Sequence, residues 1–137
     1  MVFTVIYHAA GLGLISRGVT LVLVRAGGRL SRHVLFPLVM GASALLATLL
    51  HASEAVIWAW TYWSLGAVPD GKSALLFSLN AITAYGHTVL HLAAHWQLMG
   101  ALEALNGLLL FGLTTAFLYG VIRRVWPLPG HTGSSKA

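Results

Sequence analysis

The stretch that decides the fold is "SALLFSLNAITAYGHT", residues 73–88. Its apolar part, 73–82, holds about ten residues, half of the roughly 20 that a helix needs to cross a bilayer. A segment of this length is typical of a buried, re-entrant or interfacial helix. Ser73 follows the turn sequence "PDGK" and is predicted to be its N-cap. The sequence therefore predicts a half-length helix and then a loop with one glycine.

The chain on either side of this stretch is strongly apolar. It has 137 residues, of which 58% are hydrophobic and 8% charged, and its mean hydropathy is +0.82. Since about a quarter of the residues of a soluble domain are charged, this composition predicts a membrane protein. The net charge of +5 does not indicate nucleic-acid binding, because the basic residues stand at the ends of apolar runs. The absence of cysteine excludes disulfides and thiolate metal sites.

Three apolar segments are long enough to cross a bilayer, and the half-length helix lies between the last two. They cover residues 2–24, 34–63 and 96–122. We therefore predict an all-α integral membrane protein with three transmembrane helices and a re-entrant helix and loop, in one domain. Basic residues follow the first and third segments, and such residues favour the cytoplasmic side. The predicted location is the plasma (inner) membrane, with the N-terminus outside and the C-terminus cytoplasmic.

The order of span, half-helix, loop and span resembles the pore module of tetrameric cation channels. "SALLFSLNAIT", residues 73–83, is similar to the pore helix of small bacterial two-span relatives of potassium channels. "HWQLMGALEALNGLLLFGLTTAFL", residues 95–118, is similar to their inner helix. The resemblance implies a pore module in 34–124. An extra transmembrane helix and basic loop would precede it in 1–33, and a cytoplasmic tail would follow in 125–137.

The same resemblance, in register, implies a selectivity filter formed by Thr83, Ala84, Tyr85, Gly86, His87 and Thr88. The family pattern is Thr-Thr-Val/Leu-Gly-Tyr-Gly-Asp, in which backbone carbonyls and threonine hydroxyls replace the hydration shell of K⁺. Here Ala84 lacks that hydroxyl, His87 replaces the bracing tyrosine, and Thr88 replaces the second glycine. Gly86-His87-Thr88 is closer to the Gly-Glu-Thr of cyclic-nucleotide-gated channels. The resemblance therefore implies weak selectivity.

Other roles follow for polar and small residues of the two flanking spans. A stripe with a spacing of four is predicted to line the inner cavity: Asn106, Leu110 and Thr114. Ionisable groups in a membrane need partners, so three are predicted to brace the filter: His51, Glu54 and Glu103. The alternative role for the His51 and Glu54 pair is a metal site. The alternative role for Glu103 is a charged ring that lines the cavity. Gly107 is predicted to be a gating hinge or a site of close helix packing.

Three histidines recur every four residues beyond the filter: His87, His91 and His95. On a helix they would share one face, and imidazole is a ligand of zinc, copper and nickel. The pattern predicts modulation by Zn²⁺ or by protons, and a solvent-facing loop is the alternative. We expect no resident cofactor.

The sequence thus predicts a homotetramer in membrane lipid, with no nucleic-acid partner, that conducts monovalent cations, K⁺ and also Na⁺. Conduction is passive, and we expect no enzymatic activity. One alternative is a non-conducting relative of the pore module that serves as an accessory membrane protein. Another is a membrane redox protein in which His8 and His51 ligate haem iron.

Overall fold

The protein is helical throughout the part described by the computed structural model, which comprises residues 1–26, 31–86 and 90–126. The elements are α1 (Val2–Ala26), α2 (Arg32–Ser64), α3 (Gly71–Ile82), a short 3₁₀ turn (Ala94–Trp96) and α4 (Gln97–Val125). The three long helices, α1, α2 and α4 with its preceding turn, are long and apolar enough to cross a membrane. The predicted helical class and the three candidate membrane helices are confirmed.

The half-length helix α3 starts at a different cap from the one predicted. Asp70, inside the "PDGK" turn, is the N-cap, and its carboxylate accepts hydrogen bonds from the Ser73 backbone N–H at 3.0 Å and from the Ser73 hydroxyl at 2.7 Å. These bonds lower the pKa of the Asp70 carboxyl group. The prediction of Ser73 as N-cap is therefore wrong. Ser73 is the donor, three residues beyond the cap.

Helices α2 and α4 run antiparallel, and α1 and α3 share the groove between them. One apolar cluster joins α3 to α2 through Tyr62, Phe77 and neighbouring small residues. A second joins the C-terminal half of α1 to both long helices through Val19, Val39 and Val121. A third cluster, of Ala55, Ile82 and Leu110, is contacted by Val5 of α1. Helix α3 thus occupies one end of the groove, and α1 begins where α3 ends.

Gly107 of α4 is the point where α4 meets the end of α3. A Cβ atom at Gly107 would lie 2.0 Å from the carbonyl oxygen of Ile82, so only glycine permits this approach. Gly107 is ten residues beyond Gln97, or about 15 Å along α4. The close-packing alternative is therefore observed at this glycine. Helix α4 continues through Gly107 without a break. A gating motion at this glycine stays a prediction.

Candidate functional site

A cluster of polar side chains lies in the interior of the bundle, where α1, α2 and α4 meet. It consists of His8 from α1, His51 and Glu54 from α2, and Thr114 from α4, and we call it the His–Glu cluster. His51 and Glu54 are three residues apart and so share one face of α2. His8 and Glu54 are fully buried, and His51 is 9% exposed. Polar groups this deep in an apolar bundle need partners within the protein.

Most of the polar atoms of the His–Glu cluster are paired. His8 Nδ1 lies 2.9 Å from Glu54 Oε1, and the Nε2 atoms of both histidines lie 3.0 Å from Thr114 Oγ1. His51 Nδ1 lies 3.5 Å from Glu54 Oε2. These last two atoms are buried and form no hydrogen bond. One imidazole nitrogen and one carboxylate oxygen thus face each other unsatisfied, while the ring of His51 stacks on Phe111.

The polar stripe of α4 lies inside the chain. Asn106 and Leu110 are fully buried, Thr114 is nearly so, and Thr4 of α1 donates a hydrogen bond to Asn106 Oδ1 at 3.1 Å. The stripe therefore faces α1 and α2. Within one chain α1 covers this face, and the lining of a cavity by Asn106, Leu110 and Thr114 in an assembly stays a prediction.

Glu103 joins α3 to α4. Its carboxyl group is hydrogen-bonded to the hydroxyl of Ser78, which also donates to the backbone carbonyl of Ala55 at 2.8 Å, so one contact connects α2, α3 and α4. Glu103 thus supports the half-helix before the predicted filter. His51 and Glu54 were expected to do the same, but their polar contacts are with α1 and α4. That they brace the filter stays a prediction.

The described part of the predicted filter is an exposed turn after α3. The Thr83 hydroxyl donates to the carbonyl of Leu79, and Tyr85 is 84% exposed. Ala84 has φ 54° and Gly86 has φ 91°. Among the described residues Ala84 is the one non-glycine with positive φ, a state that costs roughly 1–2 kcal/mol. Such strain concentrates at functional sites. His87 and Thr88 lie outside the described residues.

The predicted histidine face is not formed by the described part of the run. His91 lies in a non-helical segment and His95 in the 3₁₀ turn, both exposed, and His87 lies outside the described residues. Helical spacing therefore does not align them. In the described ranges, the group close enough to share a metal ion is His8, His51 and Glu54.

The structure brings His8 and His51 together, as the haem hypothesis requires, but it does not fit haem. Their ring centroids are 4.8 Å apart, and the Thr114 hydroxyl bridges their Nε2 atoms. Two axial histidines must stand on opposite faces of a porphyrin, and this spacing leaves no room for its ring. The sequence prediction also missed that Glu54 joins the two histidines. Thr4 and His8, polar residues four apart in an apolar helix, were the available signal.

Comparison of the chain with known protein families, with curated proteins and with solved structures found no match.

Proposed function

We propose that the protein is the subunit of an oligomeric membrane channel for monovalent cations, with the backbone of residues 83–88 at its constriction. The observation that carries the proposal is the position along α4 at which α3 ends. Ile82 packs against Gly107, about 15 Å along α4, which is half of the roughly 30 Å thickness of the hydrocarbon core. With Gln97 placed at the membrane surface, residues 83–86 would be non-helical backbone at about half the depth of the bilayer.

Non-helical backbone at that depth is tolerated only where protein buries it or where it lines a water-filled space. In the single chain residues 83–86 are exposed. In the proposed assembly further copies of the chain and water cover them, and a closed ring of identical subunits provides both. A fourfold homotetramer is the simplest ring that matches the resemblance of the sequence to tetrameric pore modules. The C-terminal end of α3, with its partial negative charge, would favour cations at this position.

The wall of the conduit is assigned to the exposed face of α4. A groove of about 550 Å³ connects Ala84 and Gly86 to Ala101 and Ala104 of α4. Further along the same face, by helical spacing, lies Thr115, which is exposed. This face replaces the buried stripe as the cavity wall. Weak discrimination between K⁺ and Na⁺ follows from the missing hydroxyl at Ala84.

Flux measured separately for Na⁺ and K⁺ in liposomes that contain the purified protein tests the proposal. We expect both ions to pass, and Gly86→Ala to reduce the flux several-fold, because an L residue at φ 91° distorts the constriction. Gly66→Ala is the matched control: Gly66 also has positive φ and open space around it, but lies in the loop between α2 and α3. Absence of flux from the oligomeric wild type, or equal losses in both variants, contradicts the proposal.

Cysteine labelling tests which face of α4 meets water, since the natural chain contains no cysteine. We expect a charged, water-soluble thiol reagent to modify Thr115→Cys and to reduce the flux. Leu109→Cys, about 120° away around α4 and also exposed in the single chain, should face lipid and remain unmodified. Labelling of position 109 in preference to position 115 would assign the water-filled space to the other face.

A further inference from the structure

We infer that His8, His51 and Glu54 form a binding site for one divalent transition-metal ion, best matched by Zn²⁺, which links α1 to α2. The ligand atoms of the three residues lie within 4.8 Å of one another in the interior of the bundle. His8 belongs to α1, and His51 and Glu54 lie on adjacent turns of α2. The site is separate from residues 83–88, so it does not rest on the proposed channel function.

The distances between the ligand atoms are close to those of a zinc site. Zinc binds histidine nitrogen and carboxylate oxygen at about 2.0–2.2 Å with tetrahedral geometry, which places neighbouring ligand atoms about 3.3–3.6 Å apart. His8 Nδ1 and Glu54 Oε1 are 2.9 Å apart, and His51 Nδ1 and Glu54 Oε2 are 3.5 Å apart. These two contacts involve different oxygens of Glu54, and the three ligand atoms as a set lie within 4.8 Å of one another. Binding would draw the three side chains closer together around the ion.

The unsatisfied atoms of the cluster provide a second, independent observation. His51 Nδ1 and Glu54 Oε2 are buried, face each other and form no hydrogen bond. In the described part of the chain the ion pairs of Glu54 are with His8 and His51 alone. Leaving such atoms unpaired in an apolar interior destabilises the folded protein. A metal ion between them accepts both lone pairs and removes that destabilisation.

Thr114 orients both imidazole rings for this role. Its hydroxyl oxygen lies 3.0 Å from Nε2 of each histidine, which leaves the two Nδ1 atoms on the side of Glu54. Metal-binding histidines usually donate their other ring N–H to a fixed acceptor of this kind, which sets the tautomer. With both Nε2–H groups donated to Thr114, both Nδ1 atoms carry lone pairs, and binding of the ion would displace the proton shared between His8 Nδ1 and Glu54 Oε1.

The ligand set selects the class of metal. Two imidazoles and one carboxylate are typical ligands of zinc and of other first-row transition metals, whereas calcium and magnesium prefer sites made only of oxygen. Three protein ligands leave a fourth position for water. Because His8 belongs to α1 and the other ligands to α2, binding should resist separation of the two helices.

Metal content of the purified full-length protein tests the site. After addition of Zn²⁺ and removal of the excess, we expect about one ion per chain. Co²⁺ in its place should give the visible absorption of a tetrahedral site. His8→Gln and Glu54→Gln, which keep side chains of similar size, should lose the ion. Thr114→Val should weaken binding about 10–100-fold. The matched control is the double variant His91→Ala, His95→Ala, which should keep the ion.

Three results would overturn the inference. The first is absence of bound metal at saturating Zn²⁺ in the wild type, which would leave a shared proton between His51 and Glu54. The second is loss of the ion from the His91, His95 double variant with retention in Glu54→Gln. The third is a wild-type Co²⁺ complex with octahedral absorption, which does not depend on the folding of any variant. These experiments measure bound metal and not ion flux. A negative result for the metal site therefore does not contradict the proposed channel, and absence of flux does not contradict the metal site.

Discussion

Gly107→Ala should leave little folded protein. The added Cβ atom would lie 2.0 Å from the carbonyl oxygen, 2.7 Å from the carbonyl carbon and 2.9 Å from the Cα atom of Ile82. All three are backbone atoms, so no side-chain rotation relieves the overlap, and α3 must move by more than 1 Å to restore van der Waals contact. Overpacking of a core costs about 1–3 kcal/mol and occasionally more. Against a rigid backbone we expect at least the upper end of that range.

Gly112→Ala is the matched control for this prediction. Gly112 belongs to the same helix, and a Cβ atom there would have no heavy atom within 4 Å. Alanine should stabilise the helix at this position by about 0.5–1 kcal/mol. The measurements are the yield of monodisperse protein in detergent and the midpoint of unfolding followed by tryptophan fluorescence. Equal stability of the two variants would mean that α4 does not contact the end of α3, and the depth of residues 83–86 would lose its support.

The helices could be predicted from the sequence because their lengths follow from the solvent. A bilayer requires about 20 apolar residues per span. The length of each apolar segment therefore distinguishes the three spanning helices from the short helix around Phe77 without any knowledge of contacts. The start of α3 does not follow from length in this way, because Asp70 and Ser73 are both good N-cap residues and stand three apart. Only the direction of the hydrogen bonds decides between them, and it favours Asp70.

The partners across helices could not be predicted in the same way. The spacing of Asn106, Leu110 and Thr114 correctly indicates one stripe, but a polar stripe meets either water or the polar groups of another helix. The stripe meets the polar groups of α1, because Thr4 contacts Asn106 and His8 contacts Thr114. These pairs are 102 and 106 residues apart in the sequence. Nothing local to α4 records this pairing. The spacing of His51 and Glu54 likewise indicates a shared face without indicating that α1 lies opposite.

Glu103→Ala should reduce the free energy of unfolding by about 2–4 kcal/mol, because it leaves a cavity and removes a hydrogen bond from a buried junction of three helices. Glu103 is fully buried and contacts the Ser78 hydroxyl, which also contacts the carbonyl of Ala55. The measurement is unfolding by a denaturing detergent, followed by far-ultraviolet circular dichroism. Leu105→Ala, at an exposed position of the same helix, is the control and should change stability far less.

Glu103→Gln separates hydrogen bonding from charge at this junction. The hydroxyl of Ser78 has one hydrogen and two close acceptors, the carbonyl of Ala55 and the carboxyl group of Glu103. A glutamine amide can donate to Ser78 Oγ while the Ser78 hydrogen is donated to Ala55, so both contacts of Ser78 are retained. We therefore expect Glu103→Gln to be nearly as stable as the wild type. If glutamine destabilises as much as alanine, the junction depends on the negative charge of Glu103, and hydrogen-bond geometry is not what holds α3 at its depth beside Gly107.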